Sequence, residues 1–218
     1  MKHPVLTIDG PSGAGKGTVS RVIANQQGWH YLDSGSIYRA LAIAVLDQAI
    51  DLANKVEIVH LAQRMVLEFS GIEVLTVKLN TVDITARLGT ETTGGVASQI
   101  AVIPEVRAVL LQKQRDFSQA PGLVADGRDM GTVVFPAAAY KVFLTASAEK
   151  RALRRHKQLI EKGFNANLEQ ITREIEERDL RDSQRATAPL VQAEGALYVD
   201  STDKTVEQVI EEVLLLIL

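Results

Sequence analysis

The run Gly10-Pro11-Ser12-Gly13-Ala14-Gly15-Lys16-Gly17-Thr18 constrains this chain more than any other segment. The short apolar stretch Val5–Asp9 precedes it and reads as a buried strand. Lys16–Gln27 follows and reads as a helix, with Val19, Val22 and Ile23 on one face. A strand, a glycine-rich turn and a helix opening on lysine together form a phosphate-binding loop. Glycines let the backbone bend close to an anion, successive N–H groups point inward, and the helix N-terminus adds partial positive charge. Lys16 supplies a full charge for the β- and γ-phosphates of ATP, and the Thr18 hydroxyl is a candidate Mg2+ ligand. A GTP-binding protein would need Asn-Lys-x-Asp late in the chain. The nearest lookalike, Asn54-Lys55-Val56-Glu57, ends in Glu, comes early, and reads as the start of a helix.

Beyond the loop, apolar strands alternate with helices. His30–Asp33, Leu123–Asp126, Tyr140–Thr145 and Leu197–Asp200 read as strands, and Trp29 as a core anchor beside the first of them. Ile37–Gln48 has helical apolar spacing, and Pro104 suits the first position of a helix running to about Phe117. Ser147, Asn167 with Gln170, and Thr205 with Gln208 are capping signals for three more helices. Residues 65–86 break the alternation. Met65–Phe69, Glu73–Leu79 and Val82–Ile84 read as short strands of a small β insert. The pattern predicts an α/β fold with a parallel sheet.

Composition removes several other classes. The 218 residues include no cysteine, which excludes disulfide frameworks and thiolate chemistry. The four histidines are scattered, without ligand spacing. A net charge of −3 argues against a nucleic-acid surface. Met1-Lys2-His3-Pro4 leads straight into a strand, and the apolar run Val213–Leu218 is too short to span a bilayer, so a cytoplasmic protein without a membrane partner is expected.

Two segments point to a second substrate. In Asp33-Ser34-Gly35-Ser36-Ile37-Tyr38-Arg39 the serines and Arg39 sit just beyond a strand end, where open α/β sheets bind ligands. An ordinary helix start with an exposed arginine fits that segment equally well. Ala125-Asp126-Gly127-Arg128-Asp129-Met130-Gly131-Thr132 says more. Its strand delivers Asp126 to the sheet edge that carries the phosphate loop, where an acid holds Mg2+ or its waters. Charges so dense after a buried strand are hard to explain by packing, although a salt-bridged turn is the alternative. Further on, Arg151, Arg154 and Arg155 share one helix, and Arg178, Asp179, Arg181, Asp182 and Arg185 close the next. Glu174/Arg178, Glu177/Arg181 and Arg178/Asp182 have i,i+4 spacing, which fits a solvated helix laced with ion pairs. The same helix pair, with Lys162-Gly163 at its tip, equally fits a lid whose arginines neutralise phosphates.

Gly-Lys-Gly-Thr in the loop resembles the nucleoside monophosphate kinases. With Leu32–Arg39, Ala125–Pro136, Glu177–Arg185 and Ala188-Pro189-Leu190, the whole chain resembles their bacterial cytidylate branch, the CMP/dCMP kinases. The resemblance implies a five-stranded parallel core at residues 1–36, 103–150 and 186–218. It also implies a monophosphate-binding domain with the β insert at 37–102 and a lid at 151–185. It implies a monomer that uses ATP and Mg2+, the metal on Thr18 and Asp126. Catalysis would fall to Lys16, Arg128, Arg181 and Arg185. Ser98, Arg107 and Asp129 would read cytosine, with Ser34 beside them on the acceptor side. Arg178 and Asp182 would hold the sugar, and Arg39, Arg128 and Arg185 the acceptor phosphate. A monophosphate with second pKa about 6 is already a nucleophile at neutral pH, so alignment and charge neutralisation suffice. A kinase for another monophosphate, such as UMP/CMP or AMP, and an ATP-binding regulator without transfer activity are the alternative readings.

Overall fold

The computed structural model describes residues 3–71, 75–161, 163 and 165–217. Strand β1 (Val5–Asp9) is buried along its whole length. Its side chains alternate between two cores, as the period of a strand requires. Leu6 and Ile8 enter a core with Val19 and Ile23 of α1 (Lys16–Gln27) and Val209 and Val213 of α9 (Val206–Leu214). Val5 enters the other, beneath α2 (Ser34–Asp47), α3 (Lys55–Arg64), α5 (Glu91–Ile100) and α6 (Pro104–Arg115). Apolar cover on both faces is what a parallel sheet needs.

The sheet has five strands in the order β2-β6-β1-β7-β8, where β2 is His30–Asp33, β6 Leu123–Gly127, β7 Tyr140–Thr145 and β8 Leu197–Asp200. All its pairings are parallel. Register places Ile8 opposite Asp126, and Asp126 opposite Asp33. The chain therefore turns out of β1, β2 and β6 at one edge, and the side chains there face a common space.

The β insert is an antiparallel sheet of β3 (Leu67–Ser70), β4 (Thr76–Leu79) and β5 (Val82–Asp83), followed by the short α4 (Thr85–Leu88). The first strand starts later than its apolar pattern suggests, because Met65 ends α3 by donating its N–H to Leu61. Glu73, from the expected second strand, lies outside the described residues. Asn54 caps α3 by accepting from the Glu57 N–H at 3.2 Å, so the Asn-Lys-x-Glu segment is a helix start. Helix α2 begins earlier than its apolar stripe, at Ser34, because the Asp33 carboxylate accepts from the Ser36 N–H at 3.1 Å. Helices α7 (Ala148–Glu161) and α8 (Leu168–Gln184) pack through a small cluster of Ala152, Ile171 and Ile175. Of the expected lid tip, Lys162 lies outside the described residues. Among the described residues, no single helix is long and apolar enough to cross a membrane.

Candidate active site

The phosphate loop leaves β1 at Gly10, where φ is 152°. A β-carbon there would stand 1.9 Å from the Leu144 carbonyl oxygen, so only glycine lets the loop pass β7. Lys16 opens α1, is 6% exposed, and donates to the Pro11 carbonyl at 2.8 Å, folding back over the loop. Burial, then the nearby Arg128, push its ammonium below the usual lysine range. Burial and the neighbouring Asp33 push Asp126 above the usual carboxylate range. Tyr31 donates its hydroxyl to Asp126 Oδ2 at 2.7 Å and fixes that oxygen. From outside, Arg151 braces the loop: Nη1 donates to the Ser12 carbonyl at 3.1 Å, Nε to Ala146 at 2.8 Å and Nη2 to Asp179 at 2.5 Å.

A cavity of about 860 Å3 runs from this loop to the acceptor side. Arg39 of α2 and Arg178 of α8 enter it beside Gly94. A β-carbon on Gly94 would lie 3.7 Å from Arg178 Nη1 and 4.0 Å from Arg39 Nη2. Among the described residues, the buried Nε atoms of both arginines have no hydrogen-bond partner. Burial lowers the pKa of Arg39. Burial, with Arg128 and Arg39 adding repulsion, pushes Arg178 down to about 9. Of the i,i+4 pairs on α8, Glu177/Arg181 closes at 3.8 Å, whereas Arg178 forms no ion pair among the described residues and lines the cavity. Arg128 is held differently. Burial opposes its charge, but Asp182 accepts from its Nε at 2.8 Å and keeps its pKa raised. Arg39, Arg128 and Arg178 thus bring three guanidiniums to one cavity, with Asp182 paired to Arg128, a set suited to a phosphorylated ligand.

Asp129 lines the same cavity and takes the end of the Arg107 guanidinium, which lies 5.7 Å from the Tyr38 ring centroid. Arg185 brings Nη2 to 3.8 Å from Asp129 and donates through Nε to the Ala188 carbonyl at 2.5 Å, and among the described residues its buried Nη2 has no hydrogen-bond partner. Ser98 accepts from Arg181 Nε at 3.2 Å, and Ser34 donates to Gln114 at 2.7 Å. The loop from Ser12 to Thr18 thus shares one cavity with Ser34, Arg39, Asp126, Arg128, Asp129, Arg178 and Asp182. Arg107 and Arg185 stand behind Asp129, and Ser98 and Arg181 pair with each other off the lining.

The cavity also holds residues that were not singled out as site residues. Arg155 donates through Nε to Glu91 at 2.7 Å and through Nη2 to the Gly89 carbonyl at 2.8 Å, joining α7 to the start of α5. Arg154 donates to the Ser201 carbonyl at 2.6 Å. The i, i+3, i+4 spacing of Arg151, Arg154 and Arg155 was the available signal, since it puts all three on one helix face. Tyr31 and Gln114 gave none, because their partners are remote in sequence.

Among the described residues, no group of three histidines, aspartates or glutamates could hold a metal. The Thr18 hydroxyl and the Asp126 carboxylate line one cavity, and both are hard oxygen donors. That set fits Mg2+, which takes one or two protein oxygens and completes its shell with phosphate and water.

A phosphate loop and a buried arginine pocket on one sheet edge define a P-loop phosphotransferase. A family model described as "Cytidylate kinase" matches residues 6–218. A cytidylate kinase from Methylococcus capsulatus is 54% identical over 208 residues, covering 95% of this chain and 94% of that one. Another, from Aeromonas salmonicida, is 53% identical over 212 residues, covering 97% and 92%. A gluconokinase structure from Sinorhizobium meliloti 1021 covers 98% of this chain and 90% of its own at 14% identity and a TM-score of 0.47, too distant to bear on function. The chain belongs to the cytidylate kinase family.

Proposed function

We propose that this chain transfers the γ-phosphate of ATP to CMP or dCMP, giving ADP and CDP or dCDP. Family membership supports the reading, and the observation that carries it is one cavity joining Lys16 and its loop to Arg39, Arg128 and Arg178. ATP lays its β- and γ-phosphates in the loop, against Lys16 and the α1 N-terminus. Thr18 and Asp126 would hold Mg2+, which would supply charge neutralisation at those phosphates. Arg39, Arg128 and Arg185 serve the acceptor phosphate, Arg178 and Asp182 the sugar, and Arg181 the transferring group. Because the acceptor is a dianion at neutral pH, these residues need only align the two phosphates and screen their repulsion.

Base choice follows from hydrogen-bond sense. Cytosine offers an amino donor beside a ring acceptor, and uracil offers the reverse. A carboxylate only accepts and an arginine only donates. Asp129 and Arg107, with Ser98, therefore suit cytosine, while uracil would set like against like. We assign residues 1–36, 103–150 and 186–218 to the core, 37–102 to the monophosphate-binding domain and 151–185 to the lid, in a monomer that works in the cytoplasm.

The test is ADP release by the purified chain with CMP, dCMP, UMP, AMP or no acceptor. CMP and dCMP should drive release far above the acceptor-free rate. Preference for UMP or AMP would move the chain to another specificity. ATP binding without release for any acceptor would make it a regulator.

A further inference from the structure

Asp9 lies at the end of β1, immediately before the phosphate loop. It is 2% exposed and is not part of the cavity wall. Its two carboxylate oxygens divide their work. Oδ1 accepts from the Met130 N–H at 2.8 Å and Oδ2 from the Gly131 N–H at 2.7 Å. Those N–H groups are the first two of a π-helical turn, Met130–Val134. At the other end of the turn, Val133 and Val134 both donate to the Asp129 carbonyl, at 2.9 and 3.1 Å. The turn is therefore pinned to β1 at its start and closed onto Asp129 through its own backbone.

Packing makes the seat tight. A β-carbon on Gly131 would meet Thr7 Oγ1 at 2.9 Å and Asp9 Oδ2 at 3.3 Å, so the turn lies directly on β1 with no room for a side chain. Arg128 and Asp129 immediately precede this turn and line the acceptor cavity. A carboxylate is the side chain that suits the position. It presents two acceptors to two donors, whereas an amide of the same size would turn its own NH2 against one of them. Burial favours the neutral acid and raises the pKa to about 6, while the two N–H bonds oppose that shift.

We propose that Asp9 is a positioning residue for the acceptor nucleotide, holding the turn that sets Arg128 and Asp129. The inference rests on the reading that those two residues contact CMP. It makes one strand end serve both substrates: the main chain of β1 runs on into the ATP loop, and its last side chain sets the CMP side.

The experiment compares wild type with Asp9→Asn, Asp129→Ala and the double variant, measuring KM and kcat for CMP and UMP and the Kd of ATP. One unsatisfied buried N–H predicts a loss of about tenfold in kcat/KM for CMP in Asp9→Asn, with a narrowed CMP/UMP ratio. The ATP Kd should stay within about twofold of wild type. In the Asp129→Ala background, Asp9→Asn should add much less loss than it causes alone. Equal losses for ATP and CMP, unchanged CMP kinetics, or full additivity would overturn the proposal. Should Asp9→Asn fail to fold, Gly131→Ala lifts the same turn off β1 while keeping Asp9. It should show the same CMP-selective loss, and an equal loss on ATP would overturn the proposal there too. Full CMP activity in Asp129→Ala alone would instead remove the underlying reading of the base site.

Discussion

On the donor side, one continuous run, Gly10–Thr18, supplies the backbone cradle, the helix N-terminus and the single cation Lys16. On the acceptor side, Arg39, Arg128 and Arg178 come from α2, the end of β6 and α8, and Asp182 is the buried counter-charge of Arg128. The two sides also hold charge differently. Lys16 rests on the Pro11 carbonyl, and Asp126 partly offsets the burial and the Arg128 charge that disfavour its ammonium. Among the described residues, Arg39 and Arg178 keep buried Nε atoms without a hydrogen-bond partner, a cost in folding that an arriving nucleotide would offset. The loop is thus a preformed cradle for one ligand, and the pocket a set of charges waiting for another.

Substitutions can break this division. The largest effect is expected from Lys16→Met, which removes the only full charge in the loop. Turnover should fall about a thousandfold or more while circular dichroism and melting stay near wild type. Near-normal turnover in a folded Lys16→Met protein would refute the loop's role. Arg128→Ala should come next, raising the CMP KM and lowering kcat, each by about tenfold or more, with ATP affinity nearly unchanged. Arg185→Ala should act in the same sense. A collapse of ATP affinity with a normal CMP KM would assign both arginines to the wrong substrate. The smallest effect concerns stored charge. Arg178→Gln should raise the melting temperature of the nucleotide-free protein by about 2–4 °C and shrink the further rise produced by CMP. A lower melting temperature would show that Arg178 supports the fold rather than straining it.

The same contrast explains what could be read from sequence. Donor chemistry lies in one contiguous motif whose flanking strand and helix are themselves legible, so Lys16–Gln27 and His30–Asp33 match their predicted bounds. The acceptor side depends on tertiary approach. Arg39 looked as much like an exposed helix residue as a ligand, and only the packing of α8 against α5 at Gly94 brings Arg178 beside it. Spacing suggested that Arg178 pairs along its own helix, but it lines the cavity instead. The Asp9 link to Met130 and Gly131 spans most of the core sequence, and the π-helical turn it anchors has no periodic signature. Ser98 and Arg107 came from family resemblance alone. Arg107 reaches the site through the Asp129 carboxylate, a partnership that no local pattern encodes.

Transfer within one cavity carries a phosphoryl group from the loop's ligand to the pocket's ligand. ATP radiolabelled in its γ-phosphate, incubated with the chain, Mg2+ and CMP, tests it in a single chromatogram. Label should appear in the β-phosphate of CDP, at a yield matching ADP formed, with little inorganic phosphate. Label appearing as inorganic phosphate while CMP remains unchanged would contradict it.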